Sequence, residues 1–199
     1  MTNNRDYKEF AIGSYYHVYN RGNAKIDIFR DKQDYQLFLN RLSENLSKEN
    51  TMGTIANTKG ERRISLPAGA FDLIAYCLMP NHFHLLLKQN SEIPISKLIS
   101  KICTSFSKYF NLKYERVGSV FQDQFKSVLV ESDEQIRWLI EYIHSNPVKA
   151  GIVSKAEDYL YSSKRNVAMV PIATEILADF INATQSLEVC EGSFLTLDE

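Results

Sequence analysis

Cysteine is scarce and badly placed for either of its structural uses. Cys77, Cys103 and Cys190 are odd in number, far apart and without a CxxC pair. That pattern excludes a disulfide framework and a thiolate metal cage, and it fits reduced thiols in a cytoplasmic protein. No apolar run approaches the roughly 18 residues of a membrane-spanning helix. The opening MTNNRDYKEF is polar and lacks the apolar segment of a secretory signal. A cytoplasmic location with no membrane partner is expected. Net charge is small too, −1 with a pI near 6.4. A coat of positive charge is excluded, though a local basic groove is not. What is present is an ordinary globular balance of 44% hydrophobic and 24% charged residues. The length suits one domain over 1–165, with a C-terminal extension over 166–199 that packs on it or trails from it.

The most informative stretch is MPNHFHLLLK, Met79 to Lys88. Residues two apart in a strand point the same way, so His82 and His84 project together while Phe83, Leu85 and Leu87 face the opposite side. Two adjacent imidazoles after a Pro80-Asn81 turn make half of a metal site. Taken alone, such histidines are more often satisfied by hydrogen bonds to backbone or solvent than by a metal, and the pair needs a partner to count as a site. Phe71–Leu78 and His82–Lys88 form two strands about that turn, and Ser14–Asn20 is an earlier one. There His17 shares a face with Tyr15 and Tyr19, a position for packing or a substrate-side hydrogen bond more than for a ligand.

Helical spacing predicts Asp31–Glu49, N-capped by Asp31, with Tyr35, Phe38, Leu39, Leu42 and Leu46 on its buried face. Asn50–Gly69 is then a long loop holding Arg62 and Arg63. A second helix, Pro94–Asn111, leaves Lys97, Lys101 and Lys108 on its outer surface as a solvated face or a phosphate track. Phe125–Val130, with Lys126, is a further strand. A third helix runs from Gln135 to about Ser145 and is expected to stop before Pro147.

On that third helix Ile136, Leu139, Ile140 and Ile143 form one stripe. Tyr142 lies roughly 110° from its centre and Asn146 within about 40° of Tyr142. His144 projects to the other flank. On helix geometry alone Tyr142 is an amphipathic residue on the core rim. A tyrosine can also be a covalent nucleophile, most effective on phosphorus when a metal neutralises the departing charge. His82, His84 and the side-chain oxygen of Asn146 would suit Mg²⁺ or Mn²⁺, the imidazoles favouring Mn²⁺. Tyr109 and Tyr114 remain rival nucleophiles.

Five segments then carry a family resemblance: YYHVYNRGNAK (Tyr15 to Lys25), IFRDKQDYQLFL (Ile28 to Leu39), YCLMPNHFHLLL (Tyr76 to Leu87), RVGSVFQDQFKS (Arg116 to Ser127) and EYIHSNPVKAGIV (Glu141 to Val153). With DYLYSSKR (Asp158 to Arg165) beyond, they resemble, in order, the REP-associated tyrosine transposases among the single-tyrosine HUH endonucleases. One departure is Gln124, where the family often carries Arg. The resemblance implies an α+β fold, a ferredoxin-like α/β sandwich with a central antiparallel sheet and helices packed on it. It implies His82 and His84 as the HUH pair, Tyr142 as the nucleophile, Asn146 as a third ligand, and Mg²⁺ or Mn²⁺ as cofactor. The expected partner is single-stranded or hairpin DNA, cleaved to a 5′-phosphotyrosine and a free 3′-OH. Lys97, Lys101, Lys108 and Lys126 are candidate DNA contacts, and a homodimer is left open. Two other functions fit the same residues. One is a DNA-hairpin-binding protein without chemistry; the other is a metal-dependent RNA nuclease using the ribose 2′-OH.

Overall fold

The computed structural model describes residues 10–47, 66–165 and 170–182, together with the backbone of 54–56 and 62–64. In chain order the elements are β1 (Tyr15–Arg21), α1 (Lys32–Leu46), β2 (Thr54–Ala56), β3 (Arg62–Ile64), β4 (Phe71–Met79), β5 (His82–Gln89), α2 (Ile95–Lys113), β6 (Lys126–Val130), α3 (Asp133–Lys149) and α4 (Thr174–Asn182). The main sheet has the order β4-β5-β1-β6 with every neighbouring pair antiparallel. Leaving aside β2 and β3, the connectivity is β-α-β-β-α-β, the ferredoxin-like arrangement.

Alternation along the strands divides the core into two layers. Tyr16, Val18, Phe83, Leu85 and Leu87 face α1 and α2, where Phe38, Leu39, Leu42, Leu98, Ile102 and Phe106 meet them. Ile74, Ala75, Cys77, Met79 and Leu86 face α3 and pack on Ile136, Leu139, Ile140 and Ile143. β5 is apolar on both sides because both are covered. A bulge between Leu73 and Ala75 lets the consecutive Ile74 and Ala75 share the α3 face. α4 packs on the same layer through Ile176, Leu177 and Phe180, so the described part of 166–199 lies on the domain.

Three expectations need correction. The Asn50–Gly69 stretch contains a two-stranded antiparallel pairing of β2 with β3. α1 closes at Leu46 with Ser47 as its C-cap, and the expected end at Glu49 lies outside the described residues. α3 does not stop at Ser145 but runs through Pro147 to Lys149. Proline removes one backbone donor and disfavours helix in the residue before it, yet does not forbid it. Here Pro147 is buried against the core side. Ser145 Oγ and Asn146 Nδ2 both donate to the Tyr142 carbonyl, at 3.0 and 2.7 Å. The helix thus carries Asn146 as a true one-turn neighbour of Tyr142.

Gly22 ends β1 where the chain doubles back closely. A Cβ there would run into the Ile26 carbonyl oxygen and lie 2.9 Å from Ile28 Cγ2. Since the first obstacle is backbone, Gly22→Ala should destabilise by about 1–3 kcal/mol, as overpacking does. Urea unfolding would measure it, and an unchanged midpoint would contradict it.

Candidate active site

β1 and β5 bring the histidines together on the α3 face of the sheet. In the β1–β5 register Tyr19 lies opposite His84 and Arg21 opposite His82. His84 is buried, with 2% of its surface exposed. Its Nδ1 is 3.0 Å from Nε2 of His17, and the two rings stack at 5.2 Å. Its own Nε2 is buried without a hydrogen-bond partner. Burial, and then the nearby His17, His82 and Arg21, hold the His84 pKa well below the usual imidazole value. The ring is therefore neutral near pH 7, which is the ligating form. His82 holds Nδ1 at 2.5 Å from Asn81 Oδ1. An amide oxygen only accepts, so Nδ1 donates and the ring presents Nε2 as its lone-pair nitrogen.

Tyr142 on α3 completes this group. Its ring stands edge-on to His84 at 5.6 Å and to His17 at 6.2 Å. Trp138, one turn earlier, stacks on it at 5.2 Å with planes 11° apart. Lys149 Nζ lies 5.0 Å above the same ring. Asn146 sits one turn beyond Tyr142 and bonds to neither histidine. Its amide nitrogen is engaged with the Tyr142 carbonyl, so the side-chain oxygen is the atom it can offer a cation.

Among the described residues no cluster of three or more His, Cys, Asp or Glu side chains could hold a metal ion. Cys77, opposite His84 on β4, does not help, because burial pushes its thiol far up. The available donors are two imidazoles and an amide. Such a set leaves coordination positions open on a divalent cation, and the orphaned His84 Nε2 is the atom that most needs one.

The rival tyrosines lie elsewhere. Tyr109 and Tyr114 belong to the α2 end on the opposite sheet face, and both phenols donate to Asp34, at 3.0 and 2.8 Å. Burial, aided by the Asp34 charge, raises the Tyr114 phenol to about 12. Lys113 closes the cluster with Nζ 2.8 Å from Asp34 and 2.7 Å from Asp31.

The expected DNA-contact lysines separate in the same way. Lys97, Lys101 and Lys108 are on α2, across the sheet from Tyr142, and Lys101 is tied to Asn45 Oδ1 at 2.6 Å. Lys126 is on the Tyr142 side, with Nζ 5.8 Å over the Tyr19 ring. Cations that sequence reading passed over also stand here. Lys149 is one, and Arg21, whose Nε is buried without a partner, is another. The signal was available for Trp138 and Lys149 as helical spacings from Tyr142. For the places of Arg21 beside His82 and of His17 beside His84 it was not, because these depend on strand register.

Comparison with known proteins bears on this geometry. Residues 65–146 match the family model described as IS200-like transposase. Over 105 residues the chain is 32% identical to a protein of Haemophilus influenzae named as a REP-associated tyrosine transposase, covering 47% of this chain and 58% of that relative. Well over a third of the relative thus lies outside the match. Among solved structures, a REP-associated tyrosine transposase bound to a REP hairpin superposes with a TM-score of 0.54 and 16% identity, over 81% of this chain and 83% of that one. At that identity the likeness is one of fold, and it agrees with the α+β antiparallel architecture. The segment bearing His82, His84, Tyr142 and Asn146 therefore carries the match to the IS200-like transposases, and the resemblance to the REP-associated tyrosine transposases is borne out.

Proposed function

We propose that this protein is a metal-dependent single-stranded DNA endonuclease and strand transferase acting at DNA hairpins, with Tyr142 as its nucleophile. The observation that carries the reading is Tyr142 beside His84, 5.6 Å between rings, with the buried His84 Nε2 left unpartnered. The substrate class follows from the transposase match and from the hairpin held by the structural neighbour.

The Tyr142 phenolic oxygen attacks the scissile phosphorus, and the bond to the upstream 3′-oxygen breaks. The phenol proton leaves to water, the departing oxygen takes one up, and the products are a 5′-phosphotyrosine and a free 3′-OH. Attack by a 3′-OH on that linkage reverses the step, and attack by the end of another strand transfers it. Arg21 and Lys149 supply cations for the phosphate oxygens. His17 and Asn81 engage Nδ1 of His84 and of His82, which makes Nε2 the ligating nitrogen of each ring. A divalent cation bound by His82, His84 and Asn146 would polarise the phosphate and ease the charge on the leaving oxygen.

The test is a denaturing gel of the protein with end-labelled hairpin DNA from beside its own gene and Mn²⁺. Label that stays with the denatured chain supports the reading. Binding without adduct across several hairpins removes it. The metal has its own readout. Mn²⁺ at about 100 times its Kd should stabilise by ~2.7 kcal/mol, roughly 5–11 °C in Tm for a chain of this size. His84→Ala should lose that shift and Tyr142→Phe keep it. An equal shift in His84→Ala would exclude His84 as a ligand.

A further inference from the structure

We propose that Trp138 is a stacking platform for the base of a nucleotide flanking the phosphate at Tyr142, an inference that rests on Tyr142 being the residue at which DNA is bound for cleavage. Trp138 is the single tryptophan of the chain. A tryptophan normally hides most of its ring, because so much apolar area is at stake. This one is 43% exposed. The stripe that anchors α3, Ile136, Leu139, Ile140 and Ile143, packs without it. Trp138 stacks on Tyr142, nearly coplanar at 11°.

The order of groups along α3 matches the order of groups in a nucleotide. Trp138 lies roughly 6 Å toward the N-terminus from Tyr142, at 1.5 Å rise per residue, and the Lys149 ammonium reaches back from the C-terminal side to 5.0 Å from the Tyr142 ring. An aromatic plane, a phenol and an ammonium thus follow one another along a single helix edge. In DNA a base and its phosphate are separated by one sugar. A base stacked on Trp138 would set its phosphate near the Tyr142 hydroxyl, where the Lys149 ammonium, 5.0 Å from the Tyr142 ring, meets it. Stacking on an aromatic face tolerates any base but requires one that is unpaired, since duplex bases are already stacked on each other. The platform therefore selects single-stranded DNA without choosing sequence.

Because Trp138 is the sole tryptophan, its emission reports the platform directly. The whole chain, without metal so that nothing is cut, is titrated with single-stranded oligodeoxythymidine, and binding is followed in parallel by anisotropy of the labelled oligonucleotide. The expected result is saturable quenching of Trp138 along the anisotropy curve, and none from a duplex of the same length. Trp138→Ala should weaken Kd about 5- to 150-fold, the range for one base–aromatic stack, with its melting curve unchanged, and Trp138→Phe should recover most of the loss. Binding with unchanged emission, equal quenching by duplex, or full affinity in Trp138→Ala would each overturn the proposal. The outcome is separable from the nucleophile assignment. Quenching in a protein that forms no adduct with Mn²⁺ leaves the platform and removes Tyr142 as nucleophile. An adduct with unquenched Trp138 does the reverse.

Discussion

Replacing Tyr142 with Phe is expected to abolish the covalent DNA adduct while leaving the protein folded and able to bind DNA. The variant removes one oxygen and keeps the ring, so the contacts with His84, His17, Trp138 and Lys149 persist. Without the hydroxyl no P–O bond to the protein can form, and cleavage should fall on the order of 10³-fold or more, as when other enzymes lose a nucleophile. Affinity should change by at most roughly tenfold, the scale of a single lost hydrogen bond. End-labelled hairpin DNA on a denaturing gel separates the two effects. Tyr109→Phe and Tyr114→Phe should each form adduct as the wild type does, since those phenols are committed to Asp34 across the sheet. An adduct surviving in Tyr142→Phe would move the nucleophile elsewhere.

Asp34→Ala should be the most destabilising single change outside that site. Asp34 is fully buried in the first turn of α1. Its carboxylate accepts from Lys113, Tyr109, Tyr114 and the backbone N–H of Arg30. The cluster binds the start of α1 to the end of α2. Deleting the carboxylate takes the acceptor from two phenols and leaves the Lys113 ammonium with Asp31 as its remaining carboxylate, and losing one partner of a buried ionic network costs about 3–5 kcal/mol. That corresponds to roughly 6–20 °C in Tm.

The pH dependence follows from the sign of the shift. Burial alone would push the Asp34 carboxyl up, but bonds from Lys113, Tyr114, the Arg30 N–H and Tyr109 outweigh it and hold it below its ordinary value. A carboxylate depressed in the folded state contributes stability above its unfolded pKa of about 3.9 and loses it as pH falls through the lower folded value. The Tm gap between wild type and Asp34→Ala should thus be full at pH 7 and shrink below about pH 4. Thermal melts across that range measure it. A gap of a degree or less at pH 7 would mean the cluster does not hold the two helices together.

Much of the layout is local chemistry and was legible in one dimension. Period-two alternation set Phe83, Leu85 and Leu87 opposite His82 and His84 along β5, and His17 on one face with Tyr15 and Tyr19 along β1, as the two layers of the core show. The 3.6-residue period found the anchoring stripe of α3 and set Tyr142 on its rim. The Asp31 cap came from its place before an apolar-periodic run, and the side chain does accept from Gln33 and Asp34. The end of α3 was misjudged because a local preference against helix before Pro147 was weighed without the buried surface that offsets it.

The sequence by itself determined the elements, their buried faces and the segments that resemble the transposases, because each depends on the order of side chains along one strand or helix. Which of several tyrosines meets the histidines was decided only by tertiary structure. Tyr109, Tyr114 and Tyr142 have much the same chemistry, and they differ in which face of the sheet their helix covers. The pairing of His17 with His84 and the approach of Arg21 to His82 needed the β1–β5 register. A shift of one residue there would turn every side chain of one strand to the other face.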